Sequence, residues 1–139
     1  LPTSRSPTEL SRTDGLWEHT CCEAFIAFEG GYCEFNLSPS GDWAFYRFTG
    51  YRAGATDPEI VPPVVQAHRH GDLWQLQAHI DLSGLPFLRH DRPWRMGLSA
   101  VMETKDGEKT YWALAHPSDK PDFHHPDSFA LVLPAPELP

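Results

Sequence analysis

Long apolar runs are missing from this 139-residue chain: none approaches the ~18 residues needed to cross a bilayer, and no basic start followed by an apolar segment marks a signal peptide. A soluble chain is expected. Cations are also scarce, eleven Lys and Arg against nineteen Asp and Glu, for a net charge of -8. That balance repels phosphate backbones and anionic lipid, so neither nucleic acid nor a membrane is an expected partner. Cysteines number three, with Cys21 and Cys22 adjacent. An odd count with two neighbours builds no disulfide framework, which favours a reducing compartment such as the cytoplasm. No G-x-S-x-G elbow occurs, and His19 lies two residues from Cys21, a strand spacing that gives proximity without an activated thiolate. A catalytic role is not the expected one.

Turn formers and aromatic residues are abundant: fourteen Pro and ten Gly, with five Trp, eight Phe and four Tyr. Short segments broken by turns and filled by rings describe an all-β domain, and the expected architecture is an antiparallel β-sandwich of about eight short strands. Residues 1–16, rich in Ser, Thr, Pro and Arg, form an extended leader; the domain occupies 17–133 and a proline-rich tail 134–139. Trp17 to Phe28, Tyr32 to Leu37 and Trp43 to Thr49 make a meander, broken at Glu29-Gly30-Gly31 and at Ser38 to Asp42. Val64 to His68 and Leu73 to Leu82 flank Gly71-Asp72 as a hairpin. In the second of these, Trp74, Leu76, Ala78, Ile80 and Leu82 alternate with polar residues, as on a sheet with one wet face. Trp94 to Glu103 and Thr110 to Ala115 form a third hairpin, and Asp127 to Leu133 a last strand.

Side-chain parity can be followed across the first two turns. A two-residue loop at Glu29-Gly30 puts Trp17, His19, Cys21, Glu23 and Phe25 on one face with Tyr32, Glu34 and Asn36. A four-residue loop over Pro39 to Asp42 adds Trp43, Phe45 and Arg47, with Glu34 opposite Arg47, and leaves Cys33, Phe35, Leu37, Ala44, Tyr46 and Phe48 for the core. A face of indole, imidazole, carboxylate, amide and guanidinium groups suits a sugar or similar polar ligand, since rings stack on apolar sugar faces and polar groups bond hydroxyls. A buried polar network in which these groups satisfy one another is the alternative.

Other constellations are weaker. His116, His124 and His125 share a loop with Asp119, Asp122 and Asp127, but the spacing matches no metal signature; His68 and His70 share a strand face. Met96 and Met102 could ligate haem iron, yet both fall on the face of Trp94, Leu98 and Ala100, which reads as core. Glu23 and Glu34 could form a glycosidase pair, but a flat sheet face offers no cleft.

The series Asp14-Gly15-Leu16-Trp17-Glu18-His19-Thr20-Cys21-Cys22-Glu23-Ala24-Phe25, Tyr32-Cys33-Glu34-Phe35-Asn36-Leu37-Ser38-Pro39-Ser40-Gly41-Asp42-Trp43, Tyr46-Arg47-Phe48 and Gly50-Tyr51-Arg52 resembles the bacterial DOMON-like domain family, related to family 9 carbohydrate-binding modules. Tyr111-Trp112-Ala113-Leu114, His116-Pro117, Pro121-Asp122-Phe123-His124 and Asp127-Ser128-Phe129 resemble its closing segment. The resemblance implies a β-sandwich binding a small ligand, with sugars and haem the ligands of the wider superfamily. Cys22, Cys33 and Ala55 depart from the pattern, two aromatic residues and a methionine being usual there. The family also opens with a pair of strands ahead of this segment, expected to be cleaved, absent or supplied by another chain, which would leave a sheet edge open to a strand partner or a second copy. The resulting expectation is a non-catalytic small-ligand-binding domain using Trp17, His19, Glu23, Glu34, Asn36, Trp43 and Arg47, with Trp112, His116 and His124 at the rim. A haem-binding electron-transfer domain and a subunit of a larger assembly are the alternatives.

Overall fold

A computed structural model describes residues 12–16, 19–71 and 73–135. Eight strands run β1 (Cys21–Phe28), β2 (Gly31–Leu37), β3 (Trp43–Phe48), β4 (Val64–His70), β5 (Leu73–His79), β6 (Trp94–Glu103), β7 (Lys109–Ala113) and β8 (Leu131–Leu133). All named pairs are antiparallel. The larger sheet has the order β3-β2-β1-β6-β7, with β8 also paired to β6, and β4 and β5 form the second sheet. The all-β sandwich expected from composition is the observed architecture.

β1 and β2 are central and covered on both sides, so their sequences carry nearly unbroken buried runs, Tyr32 to Leu37 being buried at every position. On one face, Ile26, Cys33, Phe35, Leu37, Trp43 and Phe45 form a core with Leu85 and Leu88 from the β5–β6 connection, and Val65, Leu76 and Ala78 of the β4–β5 hairpin pack on it. The alternation along β5 is the origin of that packing. On the other face, Phe25, Tyr32, Phe48 and Val101 pack with Phe123 and Phe129, which the segment after β7 lays across the sheet.

Two local differences from the expected elements have clear causes. Asp127 to Ala130 is not strand, because Pro126–Ser128 forms a single 3₁₀ turn, capped by the His125 ring accepting the Asp127 amide at 3.1 Å. Proline is suited to the first position of such a turn. The first strand begins at Cys21, and His19 and Thr20 lie in a bend ahead of it.

Candidate functional site

Register fixes which side chains meet. The β1–β2 turn is the two-residue Glu29-Gly30 loop, with Gly30 at φ 95, so Phe28 pairs with Gly31 and Glu23 with Asn36. Glu23, Phe25, Tyr32, Glu34 and Asn36 therefore do share a face. The β2–β3 loop has a different length from the expected one. Leu37 pairs with Trp43, leaving Ser38 to Asp42 outside the ladder, one residue more than a loop over Pro39 to Asp42. The Ser38 amide donates to the Asp42 carbonyl at 2.9 Å, and the Ser40 hydroxyl donates to the Asp42 carboxylate at 3.1 Å, which closes the longer loop.

That single residue inverts β3. Tyr46, not Arg47, lies opposite Glu34, and Phe48 opposite Tyr32. Trp43, Phe45 and Arg47 turn to the face covered by β4–β5, where the Arg47 guanidinium sits over Phe87 at 4.3 Å and Phe28 at 5.3 Å. Trp43 is buried in the same core beneath the guanidinium of Arg12.

The cavity on the Glu23 face has a volume of about 430 Å³. Its floor is Glu23 and Glu34, 5% and 4% exposed, and its walls include Tyr46, Phe48, Tyr111 and Phe123, with Arg52, Ala55 and His124 also in the lining. Asn36, wholly buried, sits below the acids; with its amide nitrogen facing them it donates to Glu23 Oε1 at 3.2 Å and Glu34 Oε2 at 2.8 Å. Ser99 of β6 donates to Glu23 Oε2 at 3.4 Å.

Two carboxyls this close and this buried cannot both ionise freely. Burial raises Glu34 far above the usual carboxylate range, and its hydrogen bond to Glu23 and the charge of Glu23 raise it further. Burial raises Glu23 as well, opposed by the hydrogen bonds it receives from Glu34 and Ser99. The two carboxyls titrate as a pair, both raised, and are expected to share a proton.

The remaining polar groups arrive from loops. Arg52, left-handed at φ 51, donates its amide to the Tyr32 hydroxyl at 3.1 Å, and its guanidinium bonds Asp122 at 2.9 Å. The Tyr51 hydroxyl donates to the same carboxylate. Tyr32 Oη lies 2.7 Å from His124 Nδ1, an arrangement satisfied when the phenol donates to the ring and leaves the imidazole proton on Nε2. Burial, followed by the charge of Arg52, lowers His124 to about 4, so the ring is neutral at pH 7. Nε2 stands 3.6 Å from Glu34 Oε1, beyond hydrogen-bond length, and faces the acid across the cavity floor.

Of the expected site residues, Glu23, Glu34, Asn36 and His124 converge. Trp17 lies outside the described residues. His19 is exposed and bonds Glu103 at 3.1 Å, near Thr20 and Pro39 in a separate shallow depression. His116 is exposed, 6.4 Å from the Phe123 ring. Trp112 pairs with Ala100 and points away from the cavity; 63% exposed, it joins Leu98, Met102, Leu131 and Leu133 on an apolar strip. The expectation of a core around Met102 and Leu98 is corrected accordingly, since the β4–β5 hairpin leaves that half of the sheet uncovered. Tyr46, Phe48, Arg52, Tyr111 and Phe123 are the lining residues that parity from the first strand alone does not supply.

The geometry narrows the chemistry. Both carboxyls accept from the single Asn36 amide and are buried at the cavity floor, which leaves no space between them for the scissile bond that a glycosidase pair flanks. Burial raises the thiols of Cys21, Cys22 and Cys33, which keeps them protonated and poorly nucleophilic. Among the described residues, no group of three or more His, Cys, Asp or Glu is arranged to hold a metal ion. The residues do not fit an axial haem pair: Met96 and Met102 share the opposite sheet face from His124, whose nitrogens face Tyr32 and Glu34. No described helix is long and apolar enough to cross a membrane.

The floor also sets a pH dependence of stability. Glu34 and Glu23 titrate higher folded than unfolded, so the folded chain binds the extra proton and stability is lost as pH rises above the ordinary carboxylate value. His124 titrates lower folded than unfolded, so its contribution is complete above the unfolded imidazole value and lost as pH falls toward about 4. The two slopes oppose each other in mildly acid solution, and only the acid pair acts from about pH 6.5 upward. Melting temperature is therefore expected to fall between about pH 6.5 and 8.5, by up to about 1.4 kcal/mol per pH unit in stability, and Glu34→Gln is expected to flatten that limb. Parallel wild-type and variant slopes in thermal melts would contradict the shared proton.

Compared with protein-family models, with curated proteins and with solved structures, the chain matches none.

Proposed function

We propose that this chain is a non-catalytic small-ligand-binding domain whose ligand, a carbohydrate or similar polar molecule, enters the cavity above Glu23 and Glu34. The observation that carries the reading is the pairing of a polar floor with aromatic walls: Glu23, Glu34 and the His124 Nε2 proton at the base, Tyr46, Phe48, Tyr111 and Phe123 around it. Such a cavity offers both an acceptor and donors for hydroxyl groups, and ring faces for an apolar body. A relationship to the DOMON-like domains belongs to the same proposal and rests on the sequence motifs.

No described tryptophan lines the cavity, so indole fluorescence is a poor reporter. The test is a mono- and disaccharide panel followed by NMR of His124 and the tyrosine rings. Binding at millimolar concentration is expected to move His124, Tyr46 and Tyr111 while leaving the exposed His68 and His70 unchanged. A panel that moves none of the cavity resonances counts against the proposal.

A further inference from the structure

We infer that the ligand of this cavity carries a positively charged amine that seats on the paired Glu23 and Glu34 carboxyls. The inference rests on the reading of the cavity as a small-ligand site and adds the chemical group that meets its floor.

Three observations converge. First, both acids are buried, and the side chains that donate to them are neutral, the charge of Arg52 acting on the pair only from beyond ion-pair distance. Asn36 and Ser99 donate to them, and among the described residues the only basic group within ion-pair distance of either is the neutral His124. Arg52, the nearest permanent cation in the lining, is engaged by Asp122 at 2.9 Å. A buried carboxylate without a counter-cation is costly, and a ligand ammonium would supply one along with three N–H donors. Second, the walls are four aromatic rings, Tyr46, Phe48, Tyr111 and Phe123, whose faces attract cations. Third, the net charge of -8 draws cations toward the protein and repels anions.

The step is a proton exchange, with no covalent bond made. A ligand R–NH₃⁺ donates N–H bonds to both carboxylates, and the proton they shared passes to solvent buffer. The groups that face this event are Glu23 from β1, Glu34 from β2, Tyr46 from β3, Arg52 from the loop after β3, Tyr111 from β7, and Asp122 and His124 from the closing segment. The charge of Arg52 opposes the ligand, and that of Asp122 offsets it. A neutral sugar leaves the shared proton in place.

Calorimetry of the whole chain at pH 7 with glucose, N-acetylglucosamine and glucosamine separates these cases, each run in two buffers of different ionisation enthalpy. Glucosamine is expected to bind at least about tenfold tighter than the other two, and to release up to about one proton while they release none. Glu34→Gln is expected to abolish both the preference and the proton release. Tyr111→Leu, at a position 43% exposed, is expected to weaken the amine several-fold and leave folding intact. Equal binding of glucose and glucosamine without proton release overturns the amine and leaves the small-ligand reading standing. Failure of all three sugars and of cyclohexylamine to bind overturns both.

Discussion

Asn36→Asp is expected to remove about 3–5 kcal/mol of stability although it changes one NH₂ group for an oxygen. The position is wholly buried beneath the acid pair, and its amide nitrogen serves Glu23 Oε1 and Glu34 Oε2 together. An aspartate there replaces the donor with a third carboxyl, within about hydrogen-bond distance of the other two. Either it ionises beside them or it binds a proton it would not hold in the unfolded chain. A domain of this size has about 5–15 kcal/mol in all, so the loss is a large share of it. The deficit is expected to shrink as pH is lowered, because protonation restores a donor. It is also expected to shrink in the double variant Asn36→Asp, Glu34→Gln, which returns an amide to the trio two residues away on the same strand. Urea unfolding at pH 5.5 and 7.5 measures both. A single variant within about 1 kcal/mol of wild type would show that the amide is not what holds the carboxyls together.

The same trio marks how far the sequence could be read. Glu23, Glu34 and Asn36 are placed by one short turn whose chemistry is local, a glycine at positive φ in a two-residue loop, so parity carries across it. The next turn is not local in that sense. Its length depends on Ser38 and Ser40 reaching Asp42, and a change of one residue sends Trp43 and Arg47 to the opposite face and brings Tyr46 and Phe48 to the acids. The other half of the cavity comes from pairings distant in sequence. β6 joins β1, which sets Ser99 beside Glu23 and, through β7, brings Tyr111 to the cavity and Trp112 to the outside. Composition and spacing single out His124 as a polar residue in a loop. They do not show that the loop crosses the sheet and buries the ring against Phe25. Arg52 was visible only as part of a motif, and its left-handed backbone, which delivers its amide to Tyr32, has no signature in residue type.

Phe25→Ala is expected to cost about 3–5 kcal/mol and to damage the site as well as the core. The ring is wholly buried, stacked on Phe129 at 5.5 Å and meeting His124 edge-on at 5.1 Å. It faces Gly97 across the β1–β6 pairing, where a Cβ would stand 2.9 Å from Phe129, so the absence of a side chain at residue 97 is what admits the Phe129 ring to the stack. Removing the Phe25 ring opens space beneath His124, and water entering there relieves the burial that holds its imidazole down at about 4. Phe35→Ala supplies the comparison, since that ring is as deeply buried but lies in the core on the other side of the sheet, against Phe45. Both variants are expected to lose similar stability in urea. Only Phe25→Ala is expected to raise the His124 titration toward the ordinary imidazole value, as followed by NMR, and to weaken binding of any ligand that reaches Nε2. If Phe35→Ala moves His124 equally, the two cores act as one body and the cavity does not depend on the Phe25 stack in particular.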